Sequence, residues 1–246
     1  YFFYLILFFL GSVLMRSAGC IVNDILDKDF DSKVFRTKDR PIASGKVSIK
    51  LAIFYSITLC LLALMVLLNF NSLTIIMALG SMPLAFTYPL MKRFTYWPQL
   101  FLGITFNYGL ILGWTAINEE IELIPILFYL GAIFWTLGYD TMYGYQDIKD
   151  DEIIGLKSTS IKFKGNSKKF LFTCYVLLIT FFLCGGYYMN FSFTYFLLLL
   201  IPIFHLFFFQ MKIFDIKNPN SCLIAFKSNN LLGFIIFLII LIVKIL

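Results

Sequence analysis

Eight long apolar runs constrain this chain more than any other feature. They fall at roughly 2–22, 47–68, 72–91, 98–117, 123–145, 168–188, 191–209 and 227–246. Each is about long enough to carry a helix across a hydrocarbon core of about 30 Å. A chain of 246 residues with 60% hydrophobic content, 14% charged content and 30 Phe cannot hide that surface in one water-soluble core. The expected fold is therefore all-α, a polytopic transmembrane bundle of eight spans.

The connecting segments alternate in charge. The 23–46 loop holds Lys28, Lys33, Arg36, Lys38, Arg40 and Lys46, and the 92–97 loop holds Lys92 and Arg93. Loops 146–167 and 210–226 are basic too, with Lys168, Lys169 and Lys227 at the adjoining helix ends, while 69–71, 118–122 and 189–190 carry no Lys or Arg. This is the positive-inside pattern for eight spans, with the basic loops in the cytoplasm. The net charge of +6 then reports orientation in a lipid bilayer, and no nucleic-acid partner is implied. The chain opens on Tyr1 rather than Met, which leads to the expectation that its true beginning is missing. The five cysteines lie in or beside the spans without CxxC pairing and read as small hydrophobes, and the lone His205 is assigned no role.

Against this background the stretch NDILDKDFDSKVFRTKDRPIASGK, directly after the first span, stands out. If the helix continues past Val22, Asp24, Asp27 and Asp31 fall within about 60° of one another. Arg16, seven residues before Asn23, lies on the same surface inside the span, where a cation is costly and a functional candidate. A second set appears in YDTMYGYQDIKDDEIIGLKST, where helical spacing would align Asp140, Asp147 and Asp151 within about 40°. Four crossings separate the two sets, which places both on the cytoplasmic side. Solvated loop charge is the plain alternative. The outer loop NEEIE shows what that looks like, being short and unpatterned.

Aligned carboxylates repel one another unless a cation sits between them, and hard oxygen ligands select Mg²⁺ or Ca²⁺. Because Mg²⁺ is commonly completed by substrate phosphates, acids beside the basic RTKDR and GLKST segments point to a diphosphate clamp. The substrate would be a phosphorylated lipid, its tail between the helices and its head group at the metals.

NDILDKDFD with RTKDRPIASGKVS, then YPLMKRFTYWPQLFLG, then YDTMYGYQDIKDDEIIGLKST, resemble in that order the UbiA-type intramembrane prenyltransferases, nearest the 4-hydroxybenzoate polyprenyltransferase group. The resemblance covers nearly the whole chain. It implies a single integral-membrane domain over 1–246 with two Asp-rich cytoplasmic loops, 23–46 and 146–167. It also implies nine helices around a central cavity open to the cytoplasm, one more than counted here, which fits loss of the first. In function, the resemblance implies transfer of a polyprenyl group from polyprenyl diphosphate to the carbon ortho to the hydroxyl of 4-hydroxybenzoate, in ubiquinone synthesis, at a bacterial or mitochondrial inner membrane. Asp24, Asp27, Asp31, Asp147 and Asp151 would hold Mg²⁺, and Asn23, Lys38, Arg40 and Lys157 would contact the diphosphate. Tyr139 and Tyr143 would face the allylic cation, Asp140 would orient the phenol, and Arg16 or Arg93 would hold the aromatic carboxylate.

Two other readings stay open. Relatives that prenylate haem, naphthoate, chlorophyllide or a sugar phosphate share the first motif. From another class, a cation-coupled transporter would also carry repeated intramembrane acids, although nearer the bilayer midplane.

Overall fold

The computed structural model describes residues 2–33 and 37–245, so Arg36 of the first basic loop lies outside them, as do Tyr1 and Leu246 at the chain ends. All regular structure among the described residues is helical. Eight helices are long and apolar enough to cross a membrane: α1 (Phe2–Asp31), α2 (Ile49–Leu67), α3 (Ser72–Phe94), α4 (Pro98–Asn118), α5 (Leu123–Gly144), α6 (Lys164–Tyr188), α7 (Phe193–Ile213) and α8 (Pro219–Lys244). Each coincides with one apolar run of the sequence.

The boundaries differ most in two places. Helix α1 does continue through the polar stretch to Asp31, as the aspartate spacing requires. Helix α8 begins eight residues before the expected 227. The Asn218 side chain accepts the N–H groups of Asn220 and Ser221 at 3.1 and 3.3 Å, and Pro219 opens the first turn. Lys227 is therefore inside α8 and exposed, where its long stem can carry the ammonium toward the membrane surface.

Chain contacts divide the protein into two compact units. The first comprises the chain up to Met91 with Ile111–Ile121. Here α1 packs along α2, and the buried residues of the pair include Ala18, Ala52, Ser56 and Ala63, small side chains that allow close approach of helix backbones. Asn71 caps α3, its side-chain oxygen accepting from the Thr74 amide at 2.9 Å while its Nδ2 donates to the Thr115 carbonyl at 2.8 Å. The Thr74 hydroxyl donates to that of Thr115 at 3.0 Å.

The second unit, Lys92–Leu110 with the chain from Glu122 onward, has a continuous core. Leu137, Met142, Leu171, Tyr175 and Leu178 are almost wholly inaccessible. Glycines admit large rings, as two of the contacts show. A Cβ on Gly138 would lie 3.1 Å from the Tyr175 ring, and one on Gly186 would overlap the ring of Tyr195. Several intramembrane polar groups of this unit pair with one another where no water is available. Tyr175 donates to Gln210 Oε1 at 2.6 Å, and Gln210 Nε2 donates to Ser228 Oγ at 2.9 Å and reaches His205 Nε2 at 3.2 Å. Ser228 gives its own proton to the Ala225 carbonyl, and its Oγ also lies 3.1 Å from His205 Nε2, which closes a polar cluster of His205, Gln210 and Ser228. Residues His205–Gln210 form a π turn within α7.

Candidate active site

The first acidic set is built by helix geometry alone. Because α1 is unbroken to Asp31, Asp24, Asp27 and Asp31 share one face, and Asp27 and Asp31 are 3% and 8% exposed. The chain then folds back. Thr37, itself buried, donates its hydroxyl to the Asp31 carbonyl at 3.0 Å, and the Arg40 amide donates to the Thr37 carbonyl at 3.0 Å. This turn brings Arg40 Nη1 to 2.9 Å from Asp24 Oδ1 and 2.9 Å from Asp31 Oδ2. Beyond it, the Val47 amide donates to the Pro41 carbonyl at 2.9 Å, Gly45 takes φ 77°, and Ile42 is buried. The segment RPIASGKV is thus a closed turn seated by Ile42, with the Arg40 guanidinium as its working end.

Three carboxylates on one face fit a divalent metal by donor chemistry, since all are hard oxygen ligands. As the side chains stand, no three of the described His, Cys, Asp and Glu groups are gathered closely enough to hold a metal ion, and what the geometry shows is a single cationic nitrogen bridging two of the three carboxylates. Asn23 is half-buried beside Asp24, and Lys38 is exposed on the turn. Arg16 is exposed on α1, about 12 Å along the helix axis from Asp24.

The second set departs from expectation. Helix α5 ends at Gly144, residues 145–147 form a turn, and a separate helix runs Ile148–Ile154. Asp140 is therefore not aligned with Asp147 and Asp151, which belong to the next element. The break has a tertiary cause. Gly144 sits against Ser160, leaving no room for a Cβ, and Tyr145 turns inward, 1% exposed, with its ring 5.5 Å from Phe214. Burial pushes the Tyr145 phenol up to about 12, so it stays neutral and serves packing. Asp147 stands at the N-cap position of the short helix without a side-chain capping bond, with Asp150 and Asp151 in its first turn, where acids suit the helix dipole. Gly155, at φ 79°, closes it, and the Leu156 amide donates to the Asp151 carbonyl at 2.9 Å.

The motif GLKST also works differently from a phosphate cradle. Ser158, Thr159 and Ser160 are buried and bonded inward. The Thr159 amide donates to Gln99 Oε1 at 3.0 Å, the Thr159 and Thr141 hydroxyls lie 2.6 Å apart, and the Ser160 hydroxyl donates to the Thr141 carbonyl at 2.8 Å. These bonds hold the segment against α4 and against α5 one residue past Asp140. Sequence reasoning passed over Gln99 and Thr141. A Gln inside an apolar span and the Thr of YDT were the available signals. Lys157 donates from its main chain to the Lys92 carbonyl at 2.8 Å and from Nζ to the Phe94 carbonyl at 3.2 Å, standing 5.7 Å from the Tyr96 ring centre. Two motifs read separately, KRFTYW and GLKST, thus meet, and Arg93 lies exposed on the same segment.

Along α5, Trp135, Tyr139 and Tyr143 form a ladder of rings. Tyr139 is 6.1 Å from Trp135, and both tyrosines pack on Phe226 of α8, at 5.8 and 4.7 Å. Trp135 Nε1 donates to Asn229 of α8 at 2.8 Å, which fixes the rung below. The two tyrosines are half-buried, as is Asp140, so each retains an accessible edge.

An acidic helix face bridged by Arg40, in a chain whose described residues form eight membrane-length helices, agrees with the comparison to known proteins. The chain matches the UbiA prenyltransferase family over residues 1–239 and belongs to it. It is 43% identical over 233 residues to the mitochondrial 4-hydroxybenzoate polyprenyltransferase of Bos taurus, covering 94% of this chain and 62% of that one. It is 41% identical over 235 residues to the protein of that name from Arabidopsis thaliana, covering 95% and 58%. The chain thus spans about three fifths of the length of these curated relatives. A solved apo UbiA homolog from Aeropyrum pernix K1 superposes with a TM-score of 0.82 at 23% identity, covering 98% of this chain and 89% of that one. A UbiA homolog from Archaeoglobus fulgidus, solved with GPP and Mg²⁺, superposes with 0.72 at 18% identity, covering 96% and 84%.

Proposed function

We propose that this protein transfers a polyprenyl group from polyprenyl diphosphate to the ring carbon ortho to the hydroxyl of 4-hydroxybenzoate, a step of ubiquinone biosynthesis in an inner membrane. The observation that carries the proposal is the carboxylate face of α1 with Arg40 across it, in a chain whose relatives are named for that reaction. Asp24, Asp27 and Asp31 are the primary ligands for Mg²⁺. By the alternation of basic loops, Asp147 and Asp151 emerge on the same aqueous side and are the second ligand set. When bound, Mg²⁺ would neutralise diphosphate charge and so improve the leaving group.

The chain's own residues do the rest. Asn23, Lys38, Arg40 and Lys157 supply hydrogen bonds to diphosphate oxygens, charge-assisted from the three cationic side chains. Lys157 has two further ammonium hydrogens for this beside the one it gives to the Phe94 carbonyl. The faces of Tyr139 and Tyr143 stabilise positive charge on the allylic fragment, and Asp140 orients the phenol as its ortho carbon attacks. Loss of the ring proton then restores aromaticity. Arg16 holds the carboxylate of the acceptor, and Arg93 is the alternative.

The test uses the protein in membranes, with labelled prenyl diphosphates of several lengths and 4-hydroxybenzoate, with and without Mg²⁺. Prenylated 4-hydroxybenzoate formed only with the metal is expected. Product formed only with naphthoate, haem, chlorophyllide or a sugar phosphate would move the chain to another branch of the family. Cation-coupled flux in proteoliposomes without prenyl transfer would overturn the enzymatic reading.

A further inference from the structure

We infer that Arg40 is an internal counter-cation of the α1 carboxylates: it competes with the divalent metal for Asp24 and Asp31, and metal binding hands its guanidinium to the diphosphate. The inference rests on the proposed reading of those carboxylates as metal ligands. It goes further by giving one side chain two successive partners.

The geometry that points to this is specific. A single nitrogen, Arg40 Nη1, stands 2.9 Å from an oxygen of each carboxylate, the place a bridging cation would take. Its side chain is 34% exposed, while that of Asp31 is 12% exposed. The guanidinium can therefore leave toward water, whereas the carboxylate stays in place. The backbone behind Arg40 need not move, because Thr37, Pro41 and Ile42 hold the turn by contacts that do not involve the guanidinium. Without a metal, the bridge prevents the repulsion that two neighbouring carboxylates would otherwise suffer. A divalent ion takes over that role with greater charge. The displaced guanidinium, still tethered beside the metal, then has as its best partner the anion the metal attracts. Binding of metal and of diphosphate should consequently reinforce each other through Arg40, by a reciprocal coupling.

The experiment measures Mn²⁺ affinity by the paramagnetic signal of free ion, on protein in nanodiscs without prenyl substrate, with and without inorganic pyrophosphate. Arg40→Gln should bind Mn²⁺ alone roughly tenfold or more tightly than the parent, because the lost competitor was a pair of charge-assisted bonds. Pyrophosphate should tighten Mn²⁺ binding strongly in the parent and much less in Arg40→Gln. Thr37→Val, which frees the turn without touching a carboxylate, should shift Mn²⁺ affinity the same way by less, and it decides the matter if Arg40→Gln does not fold. Unchanged or weaker Mn²⁺ binding in these variants would make Arg40 a fixed strut and overturn the inference. Absence of Mn²⁺ binding to the parent even with pyrophosphate would instead sink the metal reading itself, a separate outcome.

Discussion

The two units solve the same problem, holding membrane helices together, by different means. Only 11% of the most apolar stretch of α1 and of α3 is buried, against 39% for α5 and 44% for α6. The first unit relies on small residues between α1 and α2, one hydrogen-bonded knot at Thr74 and Thr115, and the Arg40 bridge at its polar end. The second is packed around rings seated on glycines and threaded by Tyr175, Gln210, Ser228 and Trp135. Rigidity is thus concentrated in the second unit, while charge that can be re-paired sits in the first. Variants should accordingly fail in different ways: in binding and turnover on α1, in folding on α5 to α7.

The largest expected effect tests the α1 side of that contrast. Asp27→Ala should reduce turnover at least about a thousandfold, since loss of a metal ligand removes several kcal/mol of charge stabilisation. Its melting temperature should fall far less than its turnover, because Asp27, although buried, belongs to the sparsely packed unit. Turnover at the parent level with the same Mg²⁺ requirement would remove Asp27 from the ligand set.

A smaller loss, but of stability, is expected from Gly186→Ala. The new methyl would overlap the Tyr195 ring, which cannot retreat because it is 1% exposed and its hydroxyl donates to the Phe182 carbonyl at 3.0 Å. Overpacking of this kind costs about 1–3 kcal/mol. Thermal unfolding in detergent should fall accordingly, and an unchanged midpoint would break the comparison of the units.

Arg16→Ala sharpens the contrast within the first unit. Loss of a charge-assisted hydrogen bond costs about 1.5–3 kcal/mol, or roughly ten- to hundredfold in affinity. The KM for 4-hydroxybenzoate should rise by that factor, with the KM for prenyl diphosphate nearly unchanged. The reverse pattern would assign Arg16 to the diphosphate side and leave Arg93 for the carboxylate. Lys157→Ala should have the smallest effect of the four, a few-fold rise in the KM for prenyl diphosphate, because its ammonium already has the Phe94 carbonyl as partner. A rise confined to 4-hydroxybenzoate would exclude Lys157 from the diphosphate.

The sequence made the eight helices and the α1 face legible because both are local. Hydropathy sets the spans, and a spacing of three, then four, residues sets the alignment of Asp24, Asp27 and Asp31. Asp140, Asp147 and Asp151 have equally good helical spacing, yet the helix breaks between them. What breaks it is Ser160 against Gly144 and the burial of Tyr145 beside Phe214, and neither contact leaves a trace in periodicity. The start of α8 was legible in principle, from Asn218 and Pro219, but Ser221, Lys227, Ser228 and Asn229 lower the hydropathy there. Three of those four are polar partners rather than a loop: Ser221 bonds Asp215, Ser228 accepts from Gln210 and Asn229 accepts from Trp135. The Arg40 bridge spans nine and sixteen residues across a turn, a reach that only the folded chain displays.

The π turn in α7 also acts as a phase adjuster. As far as the second residue of the turn, the buried positions Tyr195, Leu199, Pro202 and Leu206 advance by four, three and four residues, as an ordinary helix does. From there Gln210, the last residue of the turn, and Phe214 beyond it follow in steps of four, which would drift steadily around an α-helix. The wider turn absorbs that drift, since each of its hydrogen bonds encloses one more residue. Winding His205–Gln210 as regular α-helix with every residue kept would turn everything after it by about 100° relative to what precedes. Gln210 would then leave Tyr175, and Phe214 would leave Tyr145, the residue whose burial ends α5. One extra residue in the middle of a membrane helix is thereby coupled to where, two helices earlier, the chain stops being helical just before Asp147.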